Sequence, residues 1–244
     1  PKTRLVAMTH MSNVLGTSTD ARRITELAHA KGAAVLIDGS QSVVHMAVDV
    51  SEIGCDFFAF TGHKLYGPTG AGALYAAGDW LDRLPPFLGG GEMIADVLDD
   101  GVTFADVPHK FEAGTPSIAD VIGLGAAIDW VKDLDRTAVL EHERALLDRT
   151  TAGLSGMDGI RIIGTAQDKG AIVSFAADWA HAHDIAQILD RYGVAVRAGH
   201  HCAQPLMRRM GVTSTARASF AAYNTAEEVD AFLNALNKAR DFLT

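Results

Sequence analysis

The sequence predicts an α/β protein that begins with a mostly parallel sheet and continues into a smaller α+β domain. In the first third of the chain, short apolar segments alternate with a helical pattern, which is typical of βαβ units. A stretch rich in Gly and Pro follows, and after about residue 133 shorter strands and helices alternate. We therefore predict two domains, residues 1–132 and residues 133–244.

The first domain contains four predicted strands and one well-signalled helix. The segments "RLVAMTH", "AAVLID", "FFAFTG" and "AGALYAA" read as strands. The helix lies in "TSTDARRITELAHAKG", with Thr19 or Asp20 as N-cap and Gly32 at its end. Its apolar face is predicted to comprise Ile24, Leu27 and Ala28. Residues 83–117 show weak periodicity and read as a long functional excursion.

The second domain shows short strand and helix patterns that predict an α+β arrangement. The helical stretch "IADVIGLGAAIDWVKDL" ends the first domain, and a second, "TAVLEHERALLDRTTAGL", leads into this one. "IRII", "AIVSFAA", "VAVRAG" and "ARASFAAY" read as strands, and "HDIAQILDRYG" reads as a helix. Thr225 and Glu228 form a predicted capping box at the start of the last helix.

Composition narrows the classes of function. The formal net charge is −9, which argues against nucleic acid or an anionic membrane as a partner. No apolar run is long enough to cross a bilayer. The chain has two cysteines, too few for a disulfide framework, so we expect a reducing compartment and a cytoplasmic protein.

Polar residues follow the predicted strands where ligands bind in open α/β sheets. Asn13 follows the first strand, Asp38 and Gln41 the second, and His63 with Lys64 the third. An Asp for a pyridinium nitrogen and a Lys for a Schiff base are the protein groups that pyridoxal phosphate requires. A buried ion pair between the same two residues is the alternative.

The glycines after Lys64 and the two cysteines each allow a second interpretation. "GPTGAG" lacks the following Gly-Lys-Ser/Thr of a nucleotide loop, so a tight turn between strands is favoured.

Cys55 is expected to be a small buried side chain. In "VRAGHHCAQP", Cys202 reads as a nucleophile, as a zinc ligand with His200 and His201, or as a small buried side chain, and its polar setting after a glycine disfavours the last. Adjacent residues rarely share one tetrahedral site, so we expect no metal. A Cys-His hydrolase would leave Asp38 and Lys64 without a role.

Five segments together resemble one enzyme family. "LIDGSQ", "FTGHKLYGPTGAG", "FEAGTP", "VRAGHHCAQPLM" and "RASFAAYNTAEEVD" are similar to the class II cysteine desulfurases, of the SufS and CsdA types. This family has the aspartate-aminotransferase fold and serves the SUF iron–sulfur assembly system. It is longer on its N-terminal side, so we expect this chain to match the C-terminal portion, with a partial large domain over residues 1–132.

The resemblance implies a set of cofactor-binding residues for pyridoxal 5′-phosphate. Lys64 would hold the cofactor as a Schiff base and later move protons. Asp38 would pair with the pyridine nitrogen, and Gln41 would bond the ring hydroxyl. Thr61 and His63 would hold the phosphate.

The same resemblance implies the substrate site and the reaction. Asn13, which also lies at the cofactor, and Arg217 would grip the substrate carboxylate, and Arg197 would shape the pocket. Thr115 would reach the phosphate of a neighbouring subunit, which implies a homodimer. L-Cysteine would become L-alanine while Cys202 receives the sulfur as a persulfide.

The resemblance also implies a partner and leaves alternatives open. The persulfide would pass to an acceptor protein of the SufE or SufU type. A selenocysteine lyase acting on L-selenocysteine and a cysteine-sulfinate desulfinase share this motif set. A catalytically inactive fragment that keeps the fold is the alternative outside the enzyme class.

Overall fold

The computed structural model describes residues 2–244, which divide into two compact units. The division falls between Leu134 and Asp135, two residues beyond the predicted domain boundary. Two short early segments, Met11–Thr19 and His45–Ala47, are grouped with the second unit. The first segment follows β1 and the second begins at the end of a short helix, a placement that periodicity within the chain does not predict.

The first unit contains six strands and five helices. The strands are β1 (Leu5–Thr9), β2 (Ala34–Asp38), β3 (Phe57–Thr61), β4 (Gly72–Ala76), β5 (Ile94–Leu98) and β6 (Gly101–Phe104). The helices are α1 (Ala21–His29), α2 (Ser42–His45, whose last residue is grouped with the second unit), α3 (Val50–Ile53), α4 (Trp80–Arg83) and α5 (Ile118–Asp133). Short 3-10 turns span Gly62–Lys64 and His109–Phe111.

The main sheet of this unit has the order β1-β2-β3-β4. β1, β2 and β3 are parallel, with Thr9 opposite Asp38 and Asp38 opposite Ala59. β4 runs antiparallel to β3. The carboxyl ends of the three parallel strands therefore meet at one edge of the sheet, as the mostly parallel prediction requires.

The core of the first unit lies between α1, α3 and the sheet. Its buried members are Ala21, Ala28, Ala33, Val35, Ile37, Cys55 and Phe58. Asp20 caps α1 by accepting from the Arg23 N–H, as predicted. The predicted apolar face of α1 is wrong at Leu27, which is 52% exposed. Small residues face the sheet instead, which allows the helix to lie close to it.

The excursion over residues 83–117 contains a β-hairpin that weak periodicity concealed. β5 and β6 pair antiparallel as a two-stranded sheet, with a register shift near Asp96. Val97 is 71% exposed, and Leu98, Val102 and Phe104 are also exposed. Because neither face of this hairpin is buried within the chain, its residues lack the alternation that marks a half-buried strand.

The second unit is an antiparallel sheet with helices packed on it. Its strands are β7 (Ile160–Ile163), β8 (Ile172–Ala177), β9 (Arg197–Gly199) and β10 (Thr215–Ser219), in the order β7-β8-β10-β9. Its helices are α6 (Arg136–Ser155), α7 (Ala182–Arg191), α8 (Gln204–Arg209) and α9 (Ala226–Leu243). This arrangement confirms the α+β character predicted for the second part of the chain.

The core of the second unit joins α6, α7 and α9 to one face of this sheet. Phe175 and Leu236 are among its fully buried side chains, and Phe175 packs against Phe232. The capping box predicted for α9 is present, with reciprocal bonds between Thr225 and Glu228. Among residues 2–244, no helix is both long and apolar enough to cross a membrane.

Candidate active site

Asp38 is the last residue of β2, at the carboxyl edge of the parallel strands. Its side chain is exposed, and its Oδ1 accepts a hydrogen bond of 2.9 Å from the Ser40 N–H. The alternative of a buried ion pair is therefore wrong for this carboxylate, because it is not buried. Asp38 presents a negative charge at the sheet edge, where a ligand can reach it.

The residue after Asp38 has no room for a side chain. A Cβ placed on Gly39 would lie 1.9 Å from Cζ of Phe58, so the Phe58 ring occupies this space. His10, which follows β1, is buried and meets the same ring edge to face at 6.4 Å. Burial lowers the pKa of His10, which favours its neutral form beside the ring.

The end of β3 brings three predicted site residues together. Thr61 closes the strand, and the 3-10 turn Gly62–Lys64 follows at once. Thr61 Oγ1 and His63 Nδ1 lie 2.7 Å apart, and the Lys64 side chain is half-buried. Because β2 and β3 are parallel neighbours, this group lies at the same sheet edge as Asp38.

The glycine-rich segment after Lys64 links β3 to β4, in which Thr61 pairs with Gly72. Gly70 adopts a φ of +88°, which favours glycine. Gly62 approaches the Ala71 carbonyl so closely that its own Cβ would lie 3.0 Å from that oxygen. The segment is thus the turn between strands that the sequence predicted.

Gln41 and Thr115 lie elsewhere in the first unit. Gln41 is half-buried and immediately precedes α2, three residues beyond Asp38. Thr115 is exposed, between the 3-10 turn His109–Phe111 and α5. The structure therefore leaves Thr115 accessible to another molecule.

In the second unit, Arg217, Asn13 and the turn before α8 form a connected group. Arg217 lies on β10, and its Nη1 donates to the Asn13 carbonyl at 2.7 Å. Asn13 Nδ2 in turn donates to the His201 carbonyl at 2.9 Å. Burial, followed by the charge of Arg197, lowers the pKa of Arg217, whereas Cys202 opposes this shift.

Two arginines lie side by side on the neighbouring strands β9 and β10. Arg197 pairs directly with Arg217 in the antiparallel register, so their side chains lie on the same face of the sheet. Arg197 is exposed and Arg217 is half-buried. Two adjacent guanidinium groups produce a positive potential that suits a carboxylate.

Cys202 is exposed, and its Sγ accepts a hydrogen bond of 3.4 Å from Nη2 of Arg197. Neither ring nitrogen of the preceding His201 bonds the sulfur. Nε2 of His201 lies 2.8 Å from Thr215 Oγ1, and its buried Nδ1 has no partner within residues 2–244. Cys55, by contrast, is buried as predicted, and that burial raises its pKa.

The zinc alternative gains no support from this arrangement. The structural description of residues 2–244 contains no group of three His, Cys, Asp or Glu side chains that could hold a metal ion. His201 is occupied by Thr215, and Cys202 by Arg197. The side chains of His201 and Cys202 therefore have different partners.

Sequence reasoning missed two features of the second unit. Thr215 holds the His201 ring, although it lies 14 residues away on another strand. His45 and Glu143 form a buried pair with Nδ1 and Oε2 2.8 Å apart. The only signal for the pair is a charged residue on the buried face of α6, which becomes evident once the helix face is known.

Comparison with known proteins places the chain in a family. The class-V aminotransferase profile matches residues 1–232, nearly the whole chain. The chain belongs to the class-V aminotransferase family. This assignment confirms the predicted aminotransferase-like architecture.

Individual relatives show which members of the class-V aminotransferase family this chain resembles. It is 51% identical over 243 residues to a probable cysteine desulfurase of Xylella fastidiosa, a match that covers 100% of the chain and 58% of the relative. The chain thus spans less than two thirds of the length of that curated relative. The predicted resemblance to the cysteine desulfurases is confirmed.

Two solved structures resemble the chain closely in fold. The crystal structure of the cysteine desulfurase CsdA from Escherichia coli has a TM-score of 0.95 and 44% identity, covering 99% of this chain and 60% of that one. A variant of C-DES with glycine covalently linked to its PLP cofactor has a TM-score of 0.83 and 26% identity, covering 97% and 60%. The likeness to CsdA agrees with the class II branch.

Proposed function

We propose that this chain carries the chemistry of a cysteine desulfurase, a sulfur transferase that depends on pyridoxal 5′-phosphate. The reaction converts L-cysteine to L-alanine and leaves the sulfur on Cys202 for iron–sulfur cluster assembly. The observation that carries the proposal is the exposed Cys202 thiol in contact with the Arg197 guanidinium. Relatives and a solved structure named cysteine desulfurase support it.

The residues at the carboxyl edge of the first sheet fit the proposed cofactor. Asp38 offers an exposed carboxylate for a pyridinium N–H, and Lys64 offers the amine for covalent attachment. Thr61 and His63 offer a hydroxyl and an imidazole for a phosphate, and Gln41 an amide for the ring hydroxyl. When bound, pyridoxal phosphate supplies an electron-accepting ring that stabilises negative charge at the substrate α-carbon. Lys64 would then carry the proton that leaves this carbon.

The second unit offers the groups for an amino-acid substrate. Arg217, with Asn13 beside it, would bind the substrate carboxylate through its planar guanidinium. The neighbouring Arg197 would contribute positive charge and shape the pocket. Pairing with Asn13 already fixes one Nη of Arg217, so little side-chain freedom remains to be lost on binding.

Cys202 would take the sulfur in a step that balances without an external oxidant. Its sulfur attacks the sulfur of L-cysteine, so an S–S bond forms while the substrate C–S bond breaks. The electron pair of the C–S bond passes to the carbon fragment, which takes up a proton and leaves as alanine. Cys202 is left as a persulfide, which an acceptor of the SufE or SufU type would remove.

We propose that the working form is a cytoplasmic homodimer. Thr115 is exposed and would reach the cofactor phosphate of the second subunit. The hairpin β5–β6 and the N-terminal half of α5 expose apolar side chains that a second copy would cover: Val97, Leu98, Val102, Phe104, Ile118, Val121 and Ile122. Sedimentation analysis of the chain and of Leu98→Asp tests this, because the variant should favour the monomer while its circular dichroism spectrum remains that of the folded chain.

The proposed activity is tested by adding pyridoxal phosphate to the chain and recording the visible spectrum. We expect an absorption band that Lys64→Ala abolishes and the exposed-residue control Lys31→Ala retains. Alanine release from L-cysteine should follow, and mass spectrometry should find 32 Da added to the Cys202 peptide, the mass of one sulfur atom. Cys202→Ala should remove the added mass, whereas Cys55→Ala should not.

Other outcomes identify the alternatives. No band at any cofactor concentration would make this chain an inactive fragment. Release of alanine from L-selenocysteine alone would indicate a selenocysteine lyase, and preference for cysteine sulfinate a desulfinase. Full cysteine activity in Cys202→Ala would exclude the persulfide role.

A further inference from the structure

Two consecutive residues before α8 adopt a backbone conformation that side chains disfavour. His201 has a φ of +52° and Cys202 a φ of +60°, although neither is glycine. Left-handed backbone is uncommon for such residues and persists only where surrounding contacts hold it. The contacts that hold this pair therefore decide where the Cys202 sulfur lies.

His201 is anchored through both its side chain and its main chain. Its imidazole is 2% exposed, with Nε2 2.8 Å from Thr215 Oγ1 and 3.1 Å from the Thr215 carbonyl. Its own carbonyl accepts from Asn13, which is held in turn by Arg217. Two sequence-distant segments, the one containing Asn13 and the strand β10, thus hold this one residue.

The chain after Cys202 is fixed as well. The Ala203 N–H donates to the His200 carbonyl at 2.9 Å, which closes a tight turn around the two left-handed residues. α8 begins at Gln204, and Met207 in this helix is buried. Cys202 is therefore an exposed residue between a buried imidazole and a packed helix.

We propose that His201 is a positioning residue for Cys202. Its buried ring, held by Thr215, keeps the left-handed turn in place and so holds the thiol against Arg197. The imidazole itself does not act as a base for the sulfur, because Nε2 is engaged by Thr215 and buried Nδ1 makes no bond to Cys202. The inference rests on the proposed function only in that it gives Cys202 the role of sulfur acceptor.

The electrostatic setting agrees with a structural role for a neutral ring. Burial lowers the pKa of His201 to about 4, and the charges of Arg217, Arg197 and His200 act in the same direction. The hydrogen bond with Thr215 opposes this shift but does not outweigh it. At neutral pH the ring is therefore uncharged, and it anchors the turn without adding a further cation beside the two arginines.

The experiment measures the rate at which iodoacetamide alkylates Cys202 in the 244-residue chain, without cofactor or substrate. His201→Leu removes the bond to Thr215 and preserves an apolar side chain, whereas His201→Gln retains a donor of similar reach. We expect His201→Leu to slow alkylation about fivefold, since the sulfur loses its cationic neighbour. His201→Gln should restore most of the rate, and the exposed-residue control His200→Leu should leave it unchanged.

Combining His201→Leu with Arg197→Gln distinguishes a positioning role of His201 from a general loss of structure. If His201 acts by holding the thiol against Arg197, His201→Leu should have no further effect in an Arg197→Gln background. Thr215→Val, which keeps the β-branched shape, serves as a second variant should His201→Leu fail to fold. Wild-type alkylation rates in both variants, or fully additive effects with Arg197→Gln, would overturn the proposal.

The readout also distinguishes this inference from the proposed function. Alkylation requires neither pyridoxal phosphate nor L-cysteine, so slow alkylation in His201→Leu supports positioning whether or not alanine is released. An active enzyme with unchanged alkylation in His201→Leu would refute the positioning role alone. An inactive enzyme with coupled alkylation rates would refute the desulfurase activity alone.

Discussion

His45 and Glu143 form a buried pair whose Nδ1 and Oε2 atoms lie 2.8 Å apart, with side chains 7% and 2% exposed. Oε1 of Glu143 has no hydrogen-bond partner within the described residues. Within the second unit, this contact ties the segment His45–Ala47 to α6. Arg136 adds a second tie by donating to the Met46 carbonyl.

Removing one member of this pair should strongly destabilise the second unit. We expect His45→Leu to lower the free energy of unfolding by about 3–5 kcal/mol, because it leaves the Glu143 carboxylate buried without a partner. The exposed pair of Arg144 and Asp148 provides the control, and Arg144→Gln should cost less than about 1 kcal/mol. Urea denaturation measures both; equal losses would contradict the prediction.

Acidification should destabilise the protein through His201. Its folded pKa of about 4 lies below the usual 6.5, so the unfolded chain binds a proton first. The stability associated with a neutral His201 is complete above pH 6.5 and is lost as the pH falls towards 4. Between pH 7.5 and 5.5 we expect the free energy of unfolding to fall by about 1 kcal/mol through this residue, a decrease that should be absent in His201→Gln. A wild-type pH dependence in His201→Gln, measured by urea denaturation, would refute this assignment.

Asp56 should be a stabilising residue at the opposite end of the first sheet. Burial acts to raise its pKa, but hydrogen bonds with His29, the Val35 N–H and Trp80 outweigh that effect and lower it. Asp56→Asn should reduce the free energy of unfolding by about 1–3 kcal/mol, because an amide cannot accept from all three. Asp79→Asn, at an exposed carboxylate, is the control and should have little effect.

This Asp56 contribution has a pH dependence of its own. Because its folded pKa is depressed, the stability it provides is present above the unfolded carboxyl pKa and is lost as the pH falls below it. Thermal melts of wild type and Asp56→Asn should therefore converge on acidification. A constant difference in melting temperature down to low pH would show that the charge is not involved.

The two cysteines should differ sharply in reactivity. Cys202 is exposed, whereas Cys55 is buried and has a raised pKa because of that burial. A disulfide reagent such as DTNB should therefore label one thiol rapidly and the second only after denaturation. Cys202→Ser should abolish the rapid phase and Cys55→Ser should preserve it. Two rapid thiols in the native chain would contradict the structure.

Much of the fold could be predicted because local patterns mark its elements. The apolar segments that end on Asp38 and Thr61 became adjacent parallel strands, and the Thr225 capping box begins α9. The hairpin β5–β6 was missed because most of its side chains are exposed, so its sequence does not alternate between apolar and polar residues. Leu27 was misplaced because small residues on the same helix pack closer to the sheet.

By itself, the sequence determined which chemical groups stand at the strand ends and predicted that Cys202 is a nucleophile. Only the tertiary structure decided that its thiol contacts Arg197 while the adjacent His201 ring is buried against Thr215. The physical reason is the sequence separation of the contacts that hold each feature. Strand ends and caps arise from neighbouring residues, whereas the Cys202 turn is held by contacts such as that from Asn13, 188 residues away, which no local pattern encodes.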